Sequence, residues 1–363
     1  MKVYNWQQDD WRQFKYDQGL FEELDLHFMQ LAGQSVGYLN SLSQQNQNES
    51  IITILVKEAI KTSAIEGELI SRIDVISSIK KNLGFITPSY KIKDKRSEGI
   101  AELLVKTRET FDSTLSESML FDWHKLLMRG NYSIEVGQWR THAEPMQIVS
   151  GAMGKEKVHF EAPPSSRVET EMKVFIEWFN QSLDTIKSPI IRSAIAHLYF
   201  ESIHPFEDGN GRIGRIIAEK SLAQSLKRPL LMSLSTAIEA NKNEYYQSLQ
   251  KAQRSNQIND WITYFGNTII KAQEDFIKEI EFYLRKTQFF DNKKNLLNDR
   301  QQKVIKRMLE EGEDFYGGLN ARKYQAIAKT SKATATRDLQ DLIQKEIIYS
   351  RGIGRSTNYQ IKL

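Results

Sequence analysis

The sequence predicts a mainly α-helical protein with one short β-hairpin in the middle of the chain and another at its end. Apolar residues recur at helical spacing over most of the chain. Short β-prone pieces flank glycine-containing turns at 147–164 and 347–362. With 363 residues, 40% of them hydrophobic and 26% charged, the chain has the length of two or three domains and a composition typical of folded proteins.

Composition excludes several classes of protein. The chain has no cysteine, which rules out disulfides, thiolate catalysis and cysteine-ligated zinc and fits a cytoplasmic protein. The first ten residues lack the apolar core of a secretory signal, and no apolar run approaches the length of a membrane helix, so we expect no membrane contact. A net charge of +4 is too small to indicate nucleic-acid binding by the whole chain.

The first part of the chain, 1–96, is predicted to be a small helical region. One helical pattern is marked by Phe21, Leu24, Phe28 and Leu31. The polar run 43–50, SQQNQNES, has no apolar anchor and predicts a loop. A second helical pattern covers about 51–67 and should end at Gly67.

Between 147 and 164 the sequence QIVSGAMGKEKVHFEAPP departs from helical spacing. Two β-prone pieces flank a Gly-Ala-Met-Gly turn, and Pro163 and Pro164 close the segment. We expect a short hairpin or flap here.

The last part of the chain, 295–363, is predicted to be a separate module. Three helical patterns, at 299–309, 321–328 and 332–345, precede two strands, an order that resembles a winged helix-turn-helix domain. Residues 291–363 contain fifteen Lys and Arg but only nine Asp and Glu. This excess of positive charge favours a polyanionic partner; the alternative is an ordinary solvated surface.

The polar and basic residues of this module are typical of a nucleic-acid-binding domain. Ser331 can cap the third helix, and the polar residues at that helix start are Lys332, Thr334, Thr336 and Arg337. Arg351 and Arg355 flank the predicted wing tip. The resemblance implies DNA binding; the alternatives are recruitment of a target protein and a contact within a homodimer.

The most informative stretch is 204–215, HPFEDGNGRIGR. An apolar helical run ends before it, because a proline at 205 disfavours the α conformation at His204. Gly209, Asn210 and Gly211 allow a tight turn that feeds directly into a helix, and such a turn binds anions through its backbone N–H groups.

The side chains of the stretch suit polyphosphate chemistry. Arg212 and Arg215 lie three apart on one face of the new helix, where both guanidinium groups can clamp phosphate oxygens. Asp208 can hold Mg²⁺, and His204 is the base that titrates near neutral pH. His197, seven residues earlier, is predicted to be a packed core histidine. Together these residues predict group transfer on a nucleotide.

The same stretch resembles the Fic-domain signature, His-Pro-Phe-x-Asp/Glu-Gly-Asn-Gly-Arg-x-x-Arg, at every defined position. Elements that surround this signature in the family are also matched, by Gly137–Arg140, by Glu161–Pro164 and by the segment from Tyr245 to Phe265. The resemblance therefore covers about 103–272. It implies a Fic-type helical core over 97–285 with a β-hairpin flap. Such a core binds ATP with Mg²⁺ and transfers AMP to a Ser, Thr or Tyr hydroxyl of a target protein.

The resemblance also implies roles for individual residues. His204 is then the general base and Asp208 the metal ligand. The residues implied in nucleotide binding are Asp208, Gly209, Asn210, Gly211, Arg212, Ile213, Gly214, Arg215, Tyr245, Tyr246, Gln253 and, in the flap, Val158 and His159.

A second match lies upstream, in 62–67, TSAIEG. It fits the inhibitory pattern Ser/Thr-x-x-x-Glu-Gly/Asn of the same family. The resemblance implies that Glu66 pairs with Arg215 and occupies the space of the γ-phosphate, as in the N-terminal-inhibitor class; the alternative is an ordinary glutamate at a helix end. We therefore expect a self-inhibited protein adenylyltransferase. The rival interpretations are a DNA-binding regulator with a nucleotide-sensing core, and an enzyme that removes AMP from modified proteins.

Overall fold

A computed structural model describes residues 3–85, 91–131, 133–150, 157–311, 315, 318–352 and 357–362. The chain divides into two compact units, Met1–Ile277 and Lys278–Leu363. The predicted Gly-Ala-Met-Gly turn at 151–154 and Arg355 lie outside the described residues. Helices dominate both units, so the mainly α-helical prediction is confirmed.

The first unit contains most of the helices and one hairpin. Its elements are α1 (Glu22–Asn40), α2 (Gln44–Ile65), α3 (Arg72–Asn82), α4 (Lys95–Glu109), α5 (Glu117–Leu127), β1 (Gln147–Ser150), β2 (Lys157–Glu161), α6 (Ser165–Thr185), α7 (Pro189–Ile203), α8 (Asn210–Leu226), α9 (Leu234–Ala240), α10 (Lys242–Ala252) and α11 (Asn259–Lys293), which continues into the second unit. None of the helices that the structure describes is both long and apolar enough to cross a lipid bilayer.

Helix α7 is the centre of this unit, because every residue from Pro189 to Ile203 is buried. It packs against α8, and the surrounding core includes Trp123, Phe175 and Ile217, none of which reaches solvent. Each such large apolar side chain contributes about 1.5–3 kcal/mol when buried. The two ends of α7 and α8 that meet at 204–209 are therefore anchored in the buried core of this unit.

The loop predicted at 43–50 is wrong, because the polar run forms the first two turns of α2. Ser43 accepts a hydrogen bond from the N–H of Asn46 and so caps the helix. The polar residues face solvent, while the apolar residues from Ile52 onward pack into the core. A capped helix anchored by its later turns tolerates a polar start, which periodicity alone does not reveal.

The predicted flap forms the antiparallel pair β1–β2, with Gln147 opposite Glu161 and a register shift after Ile148. Phe160 points into the core, whereas Val149 and Val158 are exposed. The base of the flap is tied to the start of the chain, because Nε1 of Trp6 donates to the carbonyl of Glu161 at 2.7 Å.

Other residues near the start of the chain also pack on the core of this unit. Nδ2 of Asn5 donates to Oγ of Ser202 at 2.9 Å, and its backbone N–H donates to the carbonyl of Gln253. Trp11 is buried and donates to Glu171 at 3.0 Å. The first residues therefore form part of the first unit's packing.

The second unit has its own core. After α11 come α12 (Asp299–Glu311), α13 (Ala321–Ala328), α14 (Lys332–Gln344) and the antiparallel pair β3 (Ile348–Arg351) and β4 (Asn358–Ile361). Tyr324 and Leu339 are buried at its centre, and the carboxylate of Asp338 accepts hydrogen bonds from Arg300 and from the Tyr324 hydroxyl. This is the order of helices and hairpin that the sequence predicts.

Candidate active site

The chain leaves α7 at His204 in a left-handed conformation, with φ 51° and ψ 62°. A residue other than glycine is uncommon there, and such a conformation persists only when its surroundings hold it. Arg140 does so: its Nε donates to the His204 carbonyl at 2.8 Å, and its backbone N–H donates to the Pro205 carbonyl at 2.9 Å. Burial lowers the pKa of this guanidinium to about 10, so it stays charged at neutral pH.

The glycine-rich turn after His204 is held by its own asparagine. The Asn210 side chain accepts from the N–H of Phe206 at 2.9 Å and donates to its carbonyl at 2.8 Å. Gly209 has φ +82°, and a Cβ there would lie 2.9 Å from Cδ2 of Leu127. Both the backbone and the close contact require glycine at this position. Helix α8 begins at Asn210, inside the predicted turn, and so three residues before the predicted start at Ile213.

His124 holds this turn from α5 and was not identified from the sequence. Its Nδ1 accepts a hydrogen bond from the N–H of Gly137 at 2.9 Å, so Nε2 carries the proton and donates to the Asp208 carbonyl at 3.2 Å. The ring stacks on Phe206 with centroids 4.1 Å apart. Burial lowers the pKa of His124 to about 4, which keeps the imidazole neutral at physiological pH. A lone histidine in an amphipathic helix gave no signal of this role.

Arg215 lies under the turn with only 1% of its side chain exposed. It donates to Oγ1 of Thr62 at 2.9 Å, to the Thr62 carbonyl at 3.0 Å and to Oε1 of Glu66 at 2.8 Å. Burial opposes the charge of this guanidinium, but the neighbouring Glu66 carboxylate outweighs that effect and the pKa of Arg215 is raised. A methyl group on Gly211 would overlap Oε1 of Glu66, so the carboxylate sits directly over the glycine turn.

Arg212 is held by a second carboxylate, from Glu68. Nη1 of Arg212 donates to Oε2 of Glu68 at 2.7 Å, and Nη2 lies 3.6 Å from Oδ1 of Asp208. The Arg212 side chain is nearly inaccessible, while Glu68 is partly exposed. Glu68 lies outside the inhibitory pattern, which is why the sequence did not identify it.

The predicted core histidine, His197, is fully buried and its Nε2 lies 2.8 Å from the hydroxyl of Tyr245. Burial raises the pKa of this phenol well above its ordinary value and lowers that of His197, so both groups are neutral. Tyr245, expected beside the nucleotide, is therefore engaged inside the core. Its neighbour Tyr246 is more exposed and donates to the Ile65 carbonyl at 3.3 Å.

Three other predicted nucleotide contacts are also built into the packing. The Ile213 side chain is fully buried, and its N–H donates to the Gly209 carbonyl at 3.0 Å. Gln253 is buried, and its side-chain amide donates to the Glu201 carbonyl at 3.2 Å. Gly214 faces Oε1 of Glu201, which a Cβ at that position would overlap.

In the flap, His159 is half-buried and Val158 is exposed. The carbonyl of His159 accepts from Gln250 at 3.3 Å and from Arg254 at 3.2 Å. These contacts fix β2 beside α10, whereas the Val158 side chain remains open to solvent.

Asp208 lies at the rim of the turn with 48% of its side chain exposed. Its Oδ1 accepts from the N–H of Gly209 at 2.6 Å. Among the described residues, no group of three or more His, Asp and Glu side chains converges on one point. A single accessible carboxylate fits Mg²⁺ only where phosphate oxygens complete the coordination, which is the usual manner of Mg²⁺ beside a nucleotide.

Two family models match the chain. Residues 4–85 match a domain of unknown function, DUF4172, and residues 114–222 match the Fic/DOC family. The second match contains the whole of the segment 204–215 and the arginine and histidine that support it, Arg140 and His124.

The curated relatives of this chain are named as protein adenylyltransferases. A probable protein adenylyltransferase of Aquifex aeolicus is 26% identical over 161 residues, which is 44% of this chain and 43% of the relative. The protein adenylyltransferase fic-1 of Caenorhabditis elegans is 28% identical over 133 residues, or 37% of this chain and 23% of the relative. The chain thus matches less than half the length of these relatives.

Solved structures share the fold. A Fic family protein from Desulfovibrio desulfuricans is 21% identical with a TM-score of 0.54, and the match covers 93% of this chain and 96% of the other. A Fic domain containing signaling protein from Bacteroides thetaiotaomicron is 19% identical with a TM-score of 0.54, covering 70% and 97%. Residues 114–222, which contain the segment 204–215, therefore match the Fic/DOC family, and the solved Fic proteins share the fold of the chain.

Proposed function

We propose that this protein is a nucleotidyltransferase that moves AMP from ATP to a hydroxyl side chain of a target protein. The observation that carries the proposal is the grouping of His204, the Gly209–Gly211 turn, Arg212 and Arg215 at the junction of α7 and α8. The names of the curated relatives support the same reaction.

The junction is suited to hold a polyphosphate. The first N–H groups of a helix have no partner within the helix, and the positive end of its dipole favours anions. A carboxylate oxygen of Glu66 already lies over Gly211 and is bonded to Arg215. An anionic oxygen is therefore accommodated at this point, and a phosphate oxygen can replace it.

In the proposed reaction the target hydroxyl oxygen forms a bond to the α-phosphorus of ATP. The bond from that phosphorus to the oxygen bridging to the β-phosphate breaks, and pyrophosphate leaves. His204 takes the hydroxyl proton as general base. Asp208 would hold Mg²⁺, which when bound offsets negative charge on the phosphates. Arg212 and Arg215 bind the polyphosphate and keep the reacting atoms in line.

We further propose that Glu66 inhibits the protein. The pairing of its carboxylate with Arg215 supports this role, because that guanidinium then has one anion already bound. The γ-phosphate must displace Glu66 before both arginines can hold the nucleotide in a productive position. The same carboxylate could orient a water molecule for removal of AMP, which is the alternative reaction of this site.

The test is transfer of label from ATP. Glu66→Gly protein incubated with Mg²⁺ and α-³²P-ATP should label itself or a target in a cell extract, whereas γ-³²P-ATP should give no label. The matched control is the double variant Glu66→Gly with His204→Ala, which should remain unlabelled. Label from γ-³²P-ATP would indicate phosphorylation instead, and release of AMP from a modified protein without any labelling would favour the reverse reaction.

A second function, DNA binding, is proposed for the second unit. Helices α13 and α14 are joined by only three residues, with Lys329 left-handed at φ 49° and Ser331 capping α14 through the N–H of Thr334. Lys332 and Arg337 are exposed at the start of α14. This arrangement supports a winged helix-turn-helix that presents α14 to DNA. Fluorescence anisotropy with random duplex DNA tests it, and absence of binding at low salt would leave protein docking or a dimer contact.

A further inference from the structure

Glu201 is a buried carboxylate for which the proposed reaction has so far no use. It lies on α7, one turn before His204 and one turn after His197, with 3% of the residue exposed. Its Oε2 is 3.7 Å from Nδ1 of His204. Oε1 of Glu201 and Nδ1 of His204 are both buried without a hydrogen-bond partner among the described residues.

Two unsatisfied buried polar atoms on adjacent side chains are uncommon, because each costs about 1–3 kcal/mol. A shift of less than 1 Å brings the His204 nitrogen within the 2.7–3.2 Å of a hydrogen bond. Hydrogen bonds of catalytic groups are often long in the absence of substrate and shorten in the reacting complex. A small movement therefore gives the unpartnered Nδ1 of His204 a hydrogen bond to Oε2 of Glu201.

The surroundings keep Glu201 ionised. Burial opposes its charge, but His204, His197 and Arg215 outweigh that effect and lower its pKa below the ordinary value. The groups that face it are the two histidines on α7, Arg215 on α8 and the neutral phenols of Tyr245 and Tyr246 on α10. Gly214 of α8 leaves the space that the carboxylate occupies.

We infer that Glu201 is the positioning residue of His204: its carboxylate accepts the Nδ1–H of the imidazole and thereby leaves Nε2 as the base. This rests on the proposed transfer reaction. When Nε2 takes the proton of the target hydroxyl, Nδ1 keeps its own proton and Glu201 stays ionised. The negative charge then stabilises the imidazolium, in the manner of a carboxylate behind a catalytic histidine.

The first test needs no activity. In protein labelled with ¹⁵N-histidine, the nitrogen shifts distinguish the two ring tautomers, and the chain has only six histidines. His204→Gln assigns the signal. We expect the tautomer with Nδ1–H in the wild type and its loss or mixing in Glu201→Met, which has similar size and no acceptor oxygen. The matched control is Glu171→Gln, a buried carboxylate bonded to Trp11 and Arg167. A wild-type signal with the proton on Nε2 would overturn the inference, even if Glu201→Met does not fold.

The second test uses the Glu66→Gly protein as parent. Adding Glu201→Gln should lower kcat by about 10–100-fold, less than the 10²–10⁴-fold expected for loss of the base itself, with KM for ATP changed less than about twofold. The acidic limb of the pH–rate profile should move to lower pH, because the imidazolium loses its counter-charge. An unchanged kcat and profile would contradict the role of Glu201. If even the parent gives no transfer, the proposed function fails, while the tautomer measurement still decides on Glu201.

Discussion

Nη1 of Arg212 donates a hydrogen bond to Oε2 of Glu68 at 2.7 Å, two residues beyond the Glu66 carboxylate that binds Arg215. One short acidic turn, with Gly67 at φ +80° between the two glutamates, therefore engages both arginines of the 204–215 segment. A polyphosphate bound by these arginines has two carboxylates to displace.

Replacing Glu66 by glycine should raise self-labelling from α-³²P-ATP by about tenfold or more, which corresponds to about 1.4 kcal/mol in the barrier. The reason is that Arg215 becomes available to the γ-phosphate. The rate is measured with saturating ATP and Mg²⁺. An unchanged rate would mean that Glu66 is an ordinary residue at a helix end.

Replacing Glu68 by glutamine should have a smaller effect of the same sign. A pair with one partly exposed partner is worth up to about 1 kcal/mol, or about a fivefold change in rate. The control is Glu207→Gln, which removes a carboxylate from the connection between α7 and α8 and has no described contact with either arginine. Inhibition rather than activation by Glu68→Gln would show that Arg212 needs this partner.

Replacing His204 by alanine in the Glu66→Gly protein should lower the transfer rate by about 10²–10⁴-fold while ATP binding stays nearly unchanged. In the proposed mechanism the glycine turn and the arginines bind the nucleotide, whereas the imidazole only removes the hydroxyl proton. Calorimetry measures binding and labelling measures the rate. Labelling at the parent's rate would disprove the assignment of His204 as the base.

Replacing His124 by phenylalanine should lower the free energy of unfolding by about 1–3 kcal/mol at pH 7.5, because two partly buried backbone groups lose their partner while the stacking on Phe206 is retained. The pKa of His124 is about 4 when folded and 6.5 ordinarily, so the unfolded chain binds the proton more readily. The wild type therefore loses stability as the pH falls from 6.5 towards 4.

The difference between wild type and His124→Phe should accordingly shrink between pH 7.5 and 5. Urea unfolding at the two pH values measures it, with the exposed His27→Phe as control. A constant difference would mean that folding does not lower the pKa of His124.

If the second unit binds duplex DNA, the affinity should fall steeply with salt. Each neutralised phosphate contributes about −0.9 to the slope of log K against log salt, so four contacts from Lys332, Arg337, Arg351 and Arg355 cost about three to four decades for tenfold more salt. Changing Lys332 and Arg337 to alanine should reduce the slope by about 2 and leave AMP transfer unchanged. Lys173→Ala with Lys187→Ala removes the same charge from the first unit and should not alter the slope.

A feature of this protein could be predicted from the sequence when the residues that form it lie close together along the chain. The segment 204–215 could be interpreted from twelve consecutive residues, because a proline, two glycines and the start of a helix act locally and put the histidine, the turn and the arginines together. The end of α2 at Glu66 and Gly67 follows from the same kind of local signal. The three helices and hairpin of the second unit were also predictable, since each has its own apolar period and cap.

Only the tertiary structure decided which side chains support that segment. His124 and Arg140 are 84 and 64 residues from the atoms they hold, and Glu68 is 144 residues from Arg212. Glu201 is close to His204 in sequence, but its role depends on its burial between α7 and α8, where Gly214 leaves space for the carboxylate. The polar start of α2 is helical because later turns are packed. Local rules describe how a chain bends, whereas burial and pairing across distant elements arise only when the whole unit has packed.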